Sequence, residues 1–412
     1  MPMDVLFGKP PKMHRHDQRK HYSWTPVSSG KDYDAALARV LRHPTVSSKA
    51  FLITIGDRTV TGVVSRDQFV GPWQEPVADC AVTLVSHRSA LGEAMAMGER
   101  TPLALVDAAA SARMAVAESL TNIFAAPIQQ LADVRLSANW MCAAAKAGEG
   151  AALYEAVQAV GEDLCPKLGI AIPVGKDSMS METRWDDNGQ PCALSSPVSL
   201  IVSAFSPVGD TDGTLTPQLD PNAENALILV DLGRQRLGAS ILAQCYQTIG
   251  GDVPDVDSPE QLGALLALVN WGRANNSLLA YHDRSDGGAI VTLLEMAFAG
   301  RCGLSLELPE GVEVDRYLFN EELGAVLQVR TAELEGFWRQ ARALNLADCL
   351  VELGEAVAGE RIEIALGQNL VYEGARSQLQ TLWSQCSHSI QRLRDDSTCA
   401  DEEFARLGEP DC

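Results

Sequence analysis

The sequence predicts an α/β (α+β) protein of two domains, and three observations carry that prediction. A chain of 412 residues with 46% hydrophobic composition can form two ordinary domains, each burying its own core. Its first half sets β-branched runs around one long helix of small residues, whereas its second half alternates short apolar strands with helices. Between the halves lies SPVGDTDGTLTPQLDPNAEN, whose density of Pro, Gly, Asn and Asp marks a boundary.

Taken in order, residues 1–30 are rich in Pro, Lys, His and Arg, show no helical or strand period and read as an ordered connector. A helical stretch follows from Asp32 to Leu41. The segment FLITIGDRTVTGVVS holds two β-branched runs around Gly56-Asp57-Arg58 and predicts a strand, a tight turn and a strand. A long helix is expected to start near Pro102, run through LALVDAAASARMAVAESLTNIFAA and stop before Pro127; its alanines suit close packing. LGIAIPVGKDSMSM predicts a strand and then a glycine loop, and SSPVSLIVSAFSPV a buried strand. In the second unit NALILVDLG, SLLAYHDRSDGG, GLSLELP, GAVLQVR and VELGEAV are the clearest strands. Beyond about residue 372 the chain turns helical and charged and reads as a linker.

Charge and composition narrow the function. With 54 acidic against 33 basic residues the net charge is −21, and no basic cluster offsets that field, so nucleic acid and anionic membrane are poor partners. A phosphorylated metabolite remains compatible where metal ions and helix-start N–H groups neutralise it locally. The ten cysteines form no CxxC pair and no zinc-finger spacing, which reads as reduced thiols. The start lacks a signal-peptide core, and no apolar run approaches the roughly 20 residues that span a bilayer. A cytoplasmic protein is expected.

Several residues could carry chemistry. Glu118 and Asn122, four apart on the small-residue helix, project from one face and offer two hard oxygen ligands of the kind magnesium takes beside nucleotide phosphates; a solvated helix face gives the same spacing. Asp79 sits in the apolar run VADCAV, where a carboxylate needs a partner: a metal, a helix N-terminus or an arginine. LLAYHDRSDGGAIVTLLEMAF has the outline of a phosphate site, with glycines admitting a ligand to the backbone, Ser285 and Asp286 able to cap the helix, and Asp283 able to hold a counter-cation. Strand-to-helix turns also carry Asp-Gly-Gly for steric reasons alone. The segment GKDSMSM, with Lys176, Asp177 and Ser178, resembles no Walker or Ser-Lys signature closely. His282 reads as a packed or hydrogen-bonding side chain rather than a base.

The strings GDRTVTGVVSRDQFVGPWQEPVADCAVT, GEAMAMGERTPLALVDAAASARMAVAESLTN, RLSANWM, PVGKDSMSM, HDRSDGG and LFNEELGAVLQV together resemble formylglycinamide ribonucleotide (FGAR) amidotransferase of the long, single-chain type, from about residue 4 onward. The resemblance implies an aminoimidazole-ribonucleotide-synthetase-like unit: a connector over 1–30, an N-terminal-type domain with a barrel-forming sheet over 31–208, a C-terminal-type α/β domain over 222–370, and a helical linker over 371–412 towards a glutaminase domain. It implies a ligase of purine synthesis that consumes FGAR, glutamine and ATP. It also implies Mg2+ and ATP or ADP as cofactors, with Ala78 and Ser285 at the nucleotide and Asp79, Glu118, Asn122 and Asp283 at magnesium; no catalytic residue is assigned. A first synthetase-like half and the glutaminase would be partners outside these residues. In the long type the second copy is associated with a non-reacting nucleotide, so a structural half holding ADP is one alternative, and a stand-alone homodimeric synthetase another.

Overall fold

A computed structural model describes residues 2–8, 14, 16–28, 30–56, 63–284 and 286–408. In the first domain the strands are β1 (Val64–Arg66), β2 (Ala81–Leu84), β3 (Gly92–Glu99), β4 (Arg135–Met141), β5 (Ala171–Ser178), β6 (Glu182–Asp187), β7 (Gln190–Ser195) and β8 (Ser199–Val208). Six of them form an open sheet in the order β1-β2-β3-β8-β4-β5, while β6 and β7 make a separate hairpin. All pairs in the sheet are antiparallel except β4 with β5.

The Ala108–Ile123 helix covers one face of this sheet and is buried along most of its length. Its start is set by Asp107, whose side chain accepts from the Ala110 N–H at 2.9 Å, satisfying one of the orphan donors of the first turn. Expected from near Pro102, the helix begins six residues later because Thr101–Leu105 is a separate 3-10 turn. Gly98 allows the close approach of helix to strand: a Cβ there would lie 2.2 Å from the Ala115 carbonyl oxygen. That contact brings the end of β3 against Glu118.

The second domain contains β9 (Asn225–Asp231), β10 (Leu278–Asp283), β11 (Gly303–Leu308), β12 (Gly324–Arg330), β13 (Leu350–Val357), β14 (Arg361–Leu366) and β15 (Asn369–Ala375). They form a mixed sheet in the order β10-β12-β9-β13-β11-β14-β15, parallel only between β11 and β14. The fully apolar stretch of β9 divides by the two-residue period of a strand. Ala226, Ile228 and Val230 join the core shared with the first domain. Leu227 and Leu229 join a second core with the Ala289–Gly300 helix and Trp383.

Four expectations need correction. FLIT does not form a strand: Ala50–Ile53 is a short helix, tied to the Arg376–Arg394 helix through the Phe51 N–H on Ser387 Oγ at 2.9 Å, and such contacts outweigh weak β propensity. The turn expected at Asp57-Arg58 lies outside the described residues. GKDS lies within β5 rather than in a loop; Gly175 there meets β4, where a Cβ would be 2.5 Å from the Ala138 carbonyl oxygen. Asp286 does not cap the Ala289–Gly300 helix, whose N-cap is Gly288 with no side-chain bond. Finally, the expected linker helix, Arg376–Arg394, is docked on the second domain: Trp383, Arg376 and Gln380 are buried, and the Trp383 ring packs tilted against Phe298 with centroids 5.4 Å apart.

Candidate metal and nucleotide site

Asp79, in the loop before β2, and Asp283, at the end of β10, come from different domains and meet where the two sheets adjoin. The Asp79 Oδ1 atom accepts from His282 Nδ1 at 2.8 Å and from the Asp283 backbone N–H at 3.0 Å. With Oδ1 so occupied, Asp79 Oδ2 is buried without a hydrogen-bond partner among the described residues, and so is Asp283 Oδ2. Buried polar atoms left unpaired are costly, and two such carboxylate oxygens could be satisfied by a proton or by an added cation. Asp79, His282 and Asp283 bring one candidate ligand atom each within 4.8 Å of one another.

These groups open onto a cavity of about 270 Å³ whose wall also includes Ala78, Glu99, Glu118, Asn122, Asp286 and Glu295. Of the residues expected from the sequence, Ala78, Asp79, Glu118, Asn122 and Asp283 therefore share one cavity; Ser285 lies outside the described residues. Asn122 donates through Nδ2 to the Met97 carbonyl at 3.1 Å, which leaves Oδ1 as its ligand-capable atom. Glu118 Oε2 accepts from the Glu99 N–H at 2.6 Å, and its Oε1 lies 3.6 Å from Arg100 Nη1. Lys176 is not at the cavity: on the exposed β5 it bonds Ser178 Oγ at 2.7 Å.

The electrostatics follow from crowding acids in a dry place. Burial, reinforced by Asp79, pushes the Asp283 carboxyl up to about 8. Burial also holds Glu118 well above the usual carboxylate range, with Arg100 opposing, and raises Asp286. His282 moves the other way: burial disfavours its charge, but Asp79 and Glu295 together hold it well above its ordinary value. Both imidazole nitrogens are engaged, since Nε2 faces Glu295 Oε2 at 3.1 Å. An imidazolium that donates from both nitrogens offers no lone pair, so His282 positions Asp79 rather than ligating a metal.

Sequence reasoning missed the cations and the outer acids. Arg100 is almost fully buried and reaches Asp286 Oδ1 at 3.2 Å, Glu321 Oε2 at 3.1 Å and the Glu321 carbonyl at 3.0 Å. Nothing local in GERT announces this, because its partners lie some two hundred residues on. Glu295 carried a signal of the same kind as Asp79, a lone acid in the apolar helix AIVTLLEMAFAG.

The fold and site define a PurM-like, two-domain α/β unit. Residues 48–207 match the family model described as the FGAR-AT PurM_N-like domain, and residues 222–367 that of the C-terminal domain of AIR synthase related proteins. The chain belongs to the family these two domains build in tandem, as a PurL-like synthetase half. Among solved structures it is similar to T. maritima PurL complexed with FGAR, at 12% identity and TM-score 0.61, over 85% of this chain and 54% of that one. PurLQS from Thermotoga maritima matches at 13% identity and TM-score 0.60, over 86% and 52%. E. coli HypE, a hydrogenase maturation protein, matches at 17% identity and TM-score 0.50, over 75% and 92%. The chain spans about half the length of the PurL chains it matches. Among the described residues no helix is long and apolar enough to cross a membrane.

Proposed function

We propose that this chain is the nucleotide- and magnesium-binding half of the cytoplasmic ligase that converts FGAR, glutamine and ATP to formylglycinamidine ribonucleotide, ADP, phosphate and glutamate in purine biosynthesis. The pair of unpartnered buried oxygens, Asp79 Oδ2 and Asp283 Oδ2, is the observation that carries the site. The donor set is all hard oxygen, as magnesium requires: Asp79 and Asp283 from one side, Glu118 and Asn122 from the other. Ala78 and Ser285 would face the nucleotide. When bound, Mg2+ supplies the positive charge that lets an acidic cavity accept phosphates. In keeping with that reading, PurL has been solved with ATP and with ADP. Glutamine hydrolysis and the first synthetase-like half belong, in this proposal, to parts beyond these residues.

Calorimetric titration with Mg-ADP tests the site. Wild-type protein should bind, Asp79→Asn and Glu118→Gln should weaken binding by about tenfold or more, and a wild-type protein that takes up no Mg-ADP would refute the assignment.

A further inference from the structure

The Arg376–Arg394 helix is tied to the cavity by an unbroken run of hydrogen bonds. Trp383 Nε1 donates to Glu295 Oε1 at 3.1 Å as well as to the Val46 carbonyl at 2.9 Å. The second oxygen of Glu295 faces His282 Nε2 at 3.1 Å, and His282 Nδ1 faces Asp79 Oδ1 at 2.8 Å. Every member is buried or nearly so: the side-chain exposures are 14% for Glu295, 6% for His282 and 0% for Asp79, and Trp383 is 1% exposed. The far side of the helix is held independently, by the Ser48 N–H on the Trp383 carbonyl at 3.0 Å and by Gln380 Nε2 on Glu75 Oε1 at 2.6 Å. Asp79 Oδ1 is shared between this chain and the Asp283 backbone N–H, so the chain is one of two contacts that set the direction in which Oδ2 points.

We propose that Trp383, Glu295 and His282 are positioning residues through which docking of the Arg376–Arg394 helix aims Asp79 Oδ2 at a divalent cation, so that helix docking and cation binding reinforce each other. The inference rests on the cation site proposed above. Outer partners that orient metal ligands typically govern about 10–100-fold of metal affinity. Coupling of this kind is reciprocal: what the helix contributes to cation binding, the cation returns to helix docking.

The test uses the full chain and Mn2+ as probe, with bound ion counted by the loss of the free-ion electron paramagnetic resonance signal. Trp383→Phe keeps the ring against Phe298 but removes the N–H; Glu295→Gln keeps the volume but not the charge. Both should weaken Mn2+ binding about tenfold. Ser387→Ala, which removes the Phe51 contact and leaves the helix docked by Trp383 and Gln380, should leave it within about twofold, inside the spread expected of an uncoupled site. In wild-type protein the cation should slow deuterium exchange across 376–394, and Trp383→Phe should abolish that slowing. Wild-type affinity in both Trp383→Phe and Glu295→Gln, or no change in exchange across 376–394 when wild-type protein binds the cation, overturns the coupling while leaving the cation site intact. A wild-type chain that takes up no Mn2+ overturns both.

Discussion

Replacing Arg100 with methionine removes the charge that clamps the two domains while keeping most of the buried stem. Arg100 belongs to the first domain, whereas Glu321 and Asp286, which it reaches at 3.1 and 3.2 Å, belong to the second. Glu118 lies 3.6 Å away on the first. Two charge-assisted bonds to carboxylates are lost, each worth about 1.5–3 kcal/mol, besides one to the Glu321 carbonyl, and the acids left behind are unpaired in a dry interior, for which the usual cost is about 3–5 kcal/mol. These routes agree on about 4 kcal/mol at pH 8. The loss should depend on pH in a defined direction. Burial already lifts Glu321 to about 7 although Arg100 pulls it down, so without the guanidinium it rises further. An acid with a raised value in the folded state binds its proton there preferentially, and its contribution to stability fades as pH rises. The Arg100→Met deficit should therefore be small near pH 5.5 and full at pH 8. Urea unfolding followed by tryptophan fluorescence at both pH values measures it. A deficit under about 1 kcal/mol at pH 8, within the range of an exposed pair, or one equal at both pH values, would show that Arg100 does not neutralise this cluster.

Because the Asp283 carboxyl sits at about 8 and must shed its proton to ligate, Mg2+ affinity should climb between pH 6 and 8, by at most about tenfold per unit; calorimetry in buffers of different ionisation enthalpy should detect proton release, and a flat profile would contradict the ligand role. Glu75, which burial lifts from 4.5 to about 7 against Arg301, Gln380 and Arg376, should make the fold lose stability as pH rises through that window, by up to about 3 kcal/mol. Glu75→Gln removes this titration, so the gap between melting temperatures at pH 6 and pH 8 should narrow; an unchanged gap would count against it. Gly288→Ala should cost about 2–3 kcal/mol, since Gly288 has φ of +80° and a Cβ there would stand 2.6 Å from the Leu318 carbonyl oxygen; a urea midpoint matching the wild type would disprove the constraint.

What the sequence revealed was local in period and chemistry. The apolar run of β9, the strand-turn-helix at Asp283, and the i, i+4 pair of Glu118 and Asn122 all depend on neighbours within about two turns of helix or one strand. Asp79 was legible as a carboxylate needing a partner, but its partner was not. Three candidates stood open, and the atoms that hold Oδ1 are none of them: an imidazole and a backbone N–H some two hundred residues away. The errors have the same origin. FLIT was read by β propensity, yet Phe51 is held by Ser387 at the other end of the chain. Gly175 was read as a loop, yet it marks a close approach between two strands, a role glycine also plays in strand interiors.

The long-range part is also where the site's logic lies. Six carboxyl groups, from Asp79, Glu99, Glu118, Asp283, Asp286 and Glu295, line about 270 Å³, and three cations answer them: Arg100 behind Glu118 and Asp286, His282 between Asp79 and Glu295, and the half-buried Lys49 near Asp286 and Glu295. Three positive charges do not balance six acids, so the remaining acids either hold protons or share an added cation. The raised Asp283 and Glu118 carboxyls are the proton-bearing answer. A divalent ion would displace those protons at the same place, because among the described residues Asp79 Oδ2 and Asp283 Oδ2 have no hydrogen-bond partner. His282 thus holds Asp79 by Oδ1 and leaves Oδ2 for a metal, whereas both Glu118 oxygens are engaged, Oε2 by the Glu99 N–H and Oε1 by Arg100, so Glu118 would have to exchange its Arg100 contact for the ion.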